Sequence, residues 1–279
     1  MIKRKSREPK YPLSKTRKWM QSSFLLLAFL IGLRHILPGR SSRGGGFDPF
    51  CPFGGIETLW SYLTTGETLQ TTNLLNFTVL ISVLGVSLIA GRAFCGWMCP
   101  LGTTQEYLAR LAERISGSKR KIRGKRSPAL LPIRVPPKVD AWLKYLKYGV
   151  LALILFTSIT ALYPPLHSIC PARAFFAFDL STPLIWSVMI GFIITSMLVE
   201  RFSCKYLCPL GAVLAISNKI SPIHMAIDHT HCVACGRGDA ECPMDIQDIP
   251  HNTRHSECIR CFECLETCAK PGAASLRVG

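Results

Sequence analysis

The sequence predicts a polytopic α-helical membrane protein, with four transmembrane helices in two parallel repeats, followed by a small α+β unit. Three observations predict it: four long apolar runs, basic residues segregated between them, and a cysteine-bearing segment that recurs at an offset of 109 residues. The 279-residue chain carries a net charge of +16 and yet has a mean hydropathy of +0.26. Charge and apolarity trade off in a soluble domain, so their coexistence fits a chain in which the two are separated along the sequence. The apolar content excludes intrinsic disorder. Thirteen cysteines are an odd number, so a complete disulfide framework would leave one over.

Taken in order, residues 1–19 form a basic leader with eight Lys or Arg against the single acid Glu8. The first repeat, 20–116, contains the apolar runs Met20–Leu37 and Leu74–Gly91. A basic linker, 117–142, precedes the second repeat, 143–220, with the runs Tyr145–Tyr163 and Pro183–Val199. Each run is about 17–19 residues, at the short end of the ~17–25 that a transmembrane helix needs. Arg34 and His35 near the end of the first run fit the interface. Segment 92–144 holds twelve basic residues, whereas loop 38–73 holds only Arg40 and Arg43 and loop 164–182 only Arg173. The positive-inside rule then predicts a multi-pass protein of the inner (cytoplasmic) membrane with both termini cytoplasmic. Because the basic residues alternate with the runs, they are expected to mark topology and lipid contact, and no nucleic acid partner is expected.

The duplication is visible residue by residue. Arg92-Ala-Phe-Cys95-Gly-Trp-Met-Cys99-Pro100-Leu101-Gly102 pairs with Arg201-Phe-Ser-Cys204-Lys-Tyr-Leu-Cys208-Pro209-Leu210-Gly211. A looser echo pairs Cys51-Pro52 with Cys170-Pro171 in the outer loops. A repeat of this kind places a shared site between its halves. On one helix ended by proline, Cys95 and Cys99 are i and i+4 and share a face, as do Cys204 and Cys208. The four sulfurs are candidates for a third iron–sulfur centre; dithiol redox pairs and packing cysteines are the alternatives. Cys51 and Cys170 suit a disulfide, packing, or a redox or metal role. His35 and His167 are weak candidates for quinone or haem contact, and no C-x-x-C-H attachment motif occurs.

The last segment, 221–279, carries the strongest signal. Cys258-Ile-Arg-Cys261-Phe-Glu-Cys264-Leu-Glu-Thr-Cys268 has the C-x2-C-x2-C-x3-C spacing of a bacterial-type ferredoxin. Cys232, Cys235 and Cys242-Pro243 repeat it without the third cysteine. In two-cluster ferredoxins the fourth cysteine of each run ligates the other cluster. The spacing therefore assigns Cys258, Cys261, Cys264 and Cys242 to one 4Fe–4S cluster, and Cys232, Cys235 and Cys268 to a second. The missing ligand falls at Gly238, beside Asp239. Either Asp239 supplies an oxygen ligand, or the second site holds a 3Fe–4S cluster. Zinc is the competing metal, disfavoured by the crossed ferredoxin pattern.

This combination of basic N-terminus, four apolar runs, two Cys-x3-Cys-Pro motifs and a two-cluster tail resembles the NapH-type membrane ferredoxins and their NosR-like relatives. The resemblance covers most of residues 20–275. It implies an electron-transfer component, a quinol dehydrogenase subunit, linking the quinone pool to redox protein partners of a reductase system. A metalloenzyme maturation factor and a redox sensor are the alternatives for the same clusters. No bond-making chemistry beyond redox is expected. The chain departs from the pattern in the one absent ferredoxin cysteine.

Overall fold

The computed structural model describes residues 13–36, 52–66, 74–117, 131–160, 170–176, 183–233, 235–268 and 273–278. In chain order the helices are α1 (Leu13–Ile36), α2 (Pro52–Thr65), α3 (Leu74–Ala90), α4 (Ala93–Trp97), α5 (Pro100–Ile115), α6 (Pro137–Leu143), α7 (Leu146–Thr160), α8 (Pro171–Phe176), α9 (Pro183–Leu198), α10 (Phe202–Tyr206) and α11 (Pro209–Ile220). Strand β1 (Ile223–Ile227), the short helices α12 (Arg237–Glu241) and α13 (Glu263–Glu266), and strand β2 (Ala274–Val278) complete the chain.

Among the described residues the predicted four-span fold is not formed. The apolar runs do become helices, as α1, α3, α7 and α9, but among the described residues no helix is long and apolar enough to cross a membrane. Helices α3, α7 and α9 have 17, 15 and 16 residues. At ~1.5 Å per residue they rise roughly 22–26 Å, short of a hydrocarbon core of ~30 Å. Helix α1 has 24 residues, but its first turns contain Lys15, Arg17 and Lys18. These helices nonetheless present apolar side chains outward, among them Leu26, Ile81, Leu88, Phe156, Ile190 and Ile194.

The sequence duplication is a structural one. In each half a long apolar helix turns into a five-residue helix, α4 or α10, that holds the first cysteine. The second cysteine is the N-cap of the next helix, α5 or α11, with proline at its first position. Proline fits there because the first turn of a helix leaves its N–H groups unpaired in any case. The turns require left-handed backbone, supplied by Gly91 (φ 59°) in one half and Arg201 (φ 56°) in the other. The halves then exchange partners: α5 packs on α9 and α11 packs on α3.

The C-terminal unit is built around an antiparallel pair, β1 with β2, in which Ile223 faces Val278 and Ile227 faces Ala274. Between them the two cysteine runs repeat one local form. The residue after the second cysteine, Gly236 (φ 65°) or Phe262 (φ 58°), is left-handed and caps the following short helix. One apolar core runs through both units and includes Val83, Cys95, Leu214, Met225, Cys242, Met244, Ile259 and Cys261.

Candidate iron–sulfur sites

Two groups of cysteines converge. Cys242, Cys258, Cys261 and Cys264 line one cavity with Met225, Met244, Ile246 and Ile249. The chain is shaped for this: Arg260 (φ 51°) and Phe262 lie in the left-handed region, reversing the backbone between successive cysteines. Burial raises the Cys242 thiol to about 11, against the pull of the Ile246 and Met244 backbone N–H groups on its sulfur. Burial likewise pushes Cys261 and Cys264 well up, helped by the neighbouring cysteines.

The second group is Cys95, Cys99, Cys204 and Cys208, drawn from both halves. Burial, and after it the neighbouring Cys204 and Cys95, raise the Cys208 thiol to about 12. Cys99 is raised well above the ordinary range by burial and then by Cys204, Cys95 and Cys208. Cys95 and Cys204 are buried, and half-buried Cys99 and Cys208 both lie within electrostatic reach of them. The Gly211 backbone N–H points at Cys208 Sγ (3.4 Å), and Gln105 Nε2 at Cys204 Sγ (3.6 Å).

The two groups adjoin. Helix α4 lies on the Cys258–Cys261 loop so closely that a Cβ on Gly96 would stand 2.3 Å from the Ile259 carbonyl oxygen. Trp97 Nε1 donates to the Arg260 carbonyl at 2.8 Å. Asn218 of α11 fastens the same loop, its Nδ2 donating to the carbonyls of Ser256 (2.8 Å) and Cys258 (2.7 Å) while its Oδ1 accepts from the Arg92 N–H (2.9 Å).

Buried ion pairs surround both groups. Glu106 of α5 accepts from Arg17 of α1 and from Arg201, each at 2.5 Å, and pairs with Arg110. Burial would raise its carboxyl, but Arg201, Arg17 and Arg110 outweigh that and hold it at about 2. Glu257, just before Cys258, pairs with Arg92 (2.7 Å) and with Lys147 of α7. Arg17 also reaches Glu263, just before Cys264, at 2.6 Å. The sequence reading missed Glu106, Glu257, Asn218, Arg92 and Arg201. One signal was present: the arginine three before the first cysteine and the glycine seven after it occur in both repeats.

The remaining candidates are arranged differently. Asp239 accepts the backbone N–H groups of Asp248 (Oδ2, 3.0 Å) and Ile249 (Oδ1, 2.9 Å), so both carboxylate oxygens are engaged. Gly238, where the third cysteine would stand, faces Cys264 Cβ. Cys235 is exposed and Cys232 and Cys268 are half-buried. Cys170 immediately precedes α8, and its carbonyl accepts from the Ala174 N–H (3.3 Å); Cys51 and His167 lie outside the described residues. Among the described residues no three His, Cys, Asp or Glu are arranged to hold a single metal ion.

The two converging groups do fit iron–sulfur clusters, in which each thiolate binds its own iron and the assembly is anionic. The donor set is thiolate in both. Buried guanidinium donors that no protein atom satisfies lie around them: Nε and Nη2 of Arg92, Nε of Arg201, and Nε and Nη1 of Arg260. Buried donors of this kind are costly unless something anionic accepts them.

A family model described as a 4Fe-4S binding domain matches residues 72–123 and 181–226, once in each half, with one Cys-x3-Cys-Pro motif in each match. Protein MJ0750 of Methanocaldococcus jannaschii is 35% identical over 191 residues, 68% of this chain and 74% of that protein. YccM of Escherichia coli strain K12, which carries a provisional name as an electron transport protein, is 26% identical over 254 residues, 84% of this chain and 64% of that one. The ferredoxin-type protein NapH of Haemophilus influenzae is 25% identical over 225 residues, 75% of this chain and 71% of its own. No solved structure matches the chain.

Proposed function

This chain belongs to the NapH/NosR-like family of ferredoxin-type 4Fe–4S electron-transfer proteins, and from that premise we propose that it relays single electrons between the quinone pool and redox protein partners through three sites. Cys242, Cys258, Cys261 and Cys264 hold one cluster. Cys95, Cys99, Cys204 and Cys208 hold another between the two halves. Cys232, Cys235 and Cys268 form a third, smaller site. With both Asp239 oxygens engaged by backbone N–H groups, that site has three thiolates to offer, which suits 3Fe–4S.

The observation that carries the reading is the contact of α4 with the Cys258–Cys261 loop, at Gly96 and Trp97. It brings the loop of one four-cysteine group against the helix that carries a cysteine of the other. An iron–sulfur cluster supplies reversible one-electron transfer. The protein's part is to hold thiolates in a buried, cation-rich setting, to exclude water, and to fix the spacing between sites. Exposed Cys235 marks the face where a redox protein partner docks. The outward apolar faces of α1, α3, α7 and α9 rest against lipid, the phase in which quinones dissolve.

Anaerobic purification with iron and sulfide counting tests the assignment. Cys258→Ser and Cys95→Ser/Cys204→Ser are each expected to lower the iron content by about four per chain. Oxidation of the reduced protein by a quinone, followed by electron paramagnetic resonance, tests the link to the pool. Unchanged iron in the Cys95/Cys204 variant, or clusters indifferent to quinone and quinol alike, would refute the corresponding part.

A further inference from the structure

The repeated motif begins with an arginine and ends with a glycine, and neither residue type ligates iron. Their roles lie in how the two halves meet. Arg201 Nη1 lies over Gly102, where an added Cβ would be 3.1 Å away, and donates to the Cys95 carbonyl at 2.9 Å. Arg92 Nη2 lies over Gly211, where an added Cβ would be 2.8 Å away. Each arginine thus crosses to the other half and occupies the space its glycine leaves. Both side chains are fully buried.

Each is also joined to the ferredoxin unit. Arg92 pairs with Glu257, the residue before Cys258. Arg201 pairs with Glu106, which shares Arg17 with Glu263, the residue before Cys264. Arg92 is within electrostatic reach of Cys95 and Cys208, and Arg201 of Cys204 and Cys261 together. Their unpartnered donors, Nε on both and Nη2 on Arg92, remain for an anion.

We propose that Arg92 and Arg201 are positioning residues that set the reduction potentials of the two adjoining centres together. Each places one fixed positive charge between the Cys95/Cys99/Cys204/Cys208 site and the Cys242/Cys258/Cys261/Cys264 site. With clusters bound at both sites, an electron passing from one to the other would leave the net charge facing the two guanidinium groups unchanged. No proton or bond is exchanged in this step. The inference rests on the reading of the four motif cysteines as a cluster site.

The test is a redox titration of the intact protein, purified anaerobically and followed by electron paramagnetic resonance, with iron counted in each sample. In Arg92→Gln and Arg201→Gln, both centres are expected to titrate at lower potential than in the parent. Arg92→Lys and Arg201→Lys, which restore the charge, should recover most of the shift. Glu257→Gln and Glu106→Gln remove a negative charge and should move both potentials upward, and they decide the matter if the arginine variants fail to hold iron. Unmoved potentials across the carboxylate variants and whichever arginine variants hold iron, or a shift confined to one centre, would overturn the proposal. Iron that does not fall in Cys95→Ser/Cys204→Ser would instead remove the cluster reading beneath it.

Discussion

Glu106 shows what one buried carboxylate contributes. It is 2% exposed and meets three arginines, one of them from α1 and one from the other half of the duplication. Its carboxyl falls from an ordinary 4.5 to about 2, a difference worth about 3 kcal/mol of folding stability. The folded value is depressed, so this contribution is complete above the unfolded value and is lost as pH falls from about 4.5 through 2. Glu106→Gln is expected to lower the urea midpoint near neutrality, because it strands buried guanidinium groups. The margin of the parent over Glu106→Gln should shrink steadily across that acid window. A margin that stays constant with pH would show that the arginines do not hold the carboxylate down.

At the scale of elements, α1 serves as a strap. Arg17 touches Glu106 of α5, Glu263 of α13 and the Gly96 carbonyl (3.1 Å), and Gln21 reaches the same carbonyl at 3.0 Å. The Ser14 N–H adds a bond to Glu266 at 2.5 Å. Arg17→Ala is expected to cost about 3 kcal/mol, the scale for breaking a buried pair. Amide exchange should quicken first in 263–268, since α13 loses its tie while β1 and β2 keep theirs. Uniform acceleration would mean that α1 supports the whole fold and not this corner. This element also explains why the sequence was misleading. A count of lysines and arginines treats Arg17 and Arg92 as charges marking a membrane face. In the structure they are buried among carboxylates that lie far away in sequence, at Glu106, Glu257 and Glu263. Hydrophobic runs located α3, α7 and α9 well, but their lengths fall short of a span.

For the whole molecule, spacing pointed to Cys258, Cys261 and Cys264 as one group, because ligand spacing is local, and these three line one cavity with Cys242. That the Cys-x3-Cys-Pro motifs would lie against the Cys258–Cys261 loop was not legible. The contact is made by Gly96, Trp97 and Asn218, whose roles depend on tertiary neighbours. Nor did spacing reveal that α5 would pack on α9 and α11 on α3. That exchange predicts a result for divided protein. Residues 1–116 and 131–279 produced separately should each lack the cluster of the four motif cysteines. Co-expressed, the two pieces should regain about four irons per pair. Recovery of that iron by one piece alone would contradict a site made by both halves.

The crossing of Arg92 to Gly211 and of Arg201 to Gly102 has a consequence for the repeat itself. It is the reciprocal pattern of an isologous contact, in which a residue i meets j and j meets i. A solitary copy of the motif has an arginine with no glycine to cover and half the thiolates for a site. Two copies of the motif are therefore needed to complete either contact. The halves differ where they serve the rest of the fold: Glu106, which gathers arginines, corresponds to Ala215 in the other copy, and Asn218, which binds a ferredoxin loop, corresponds to Ala109.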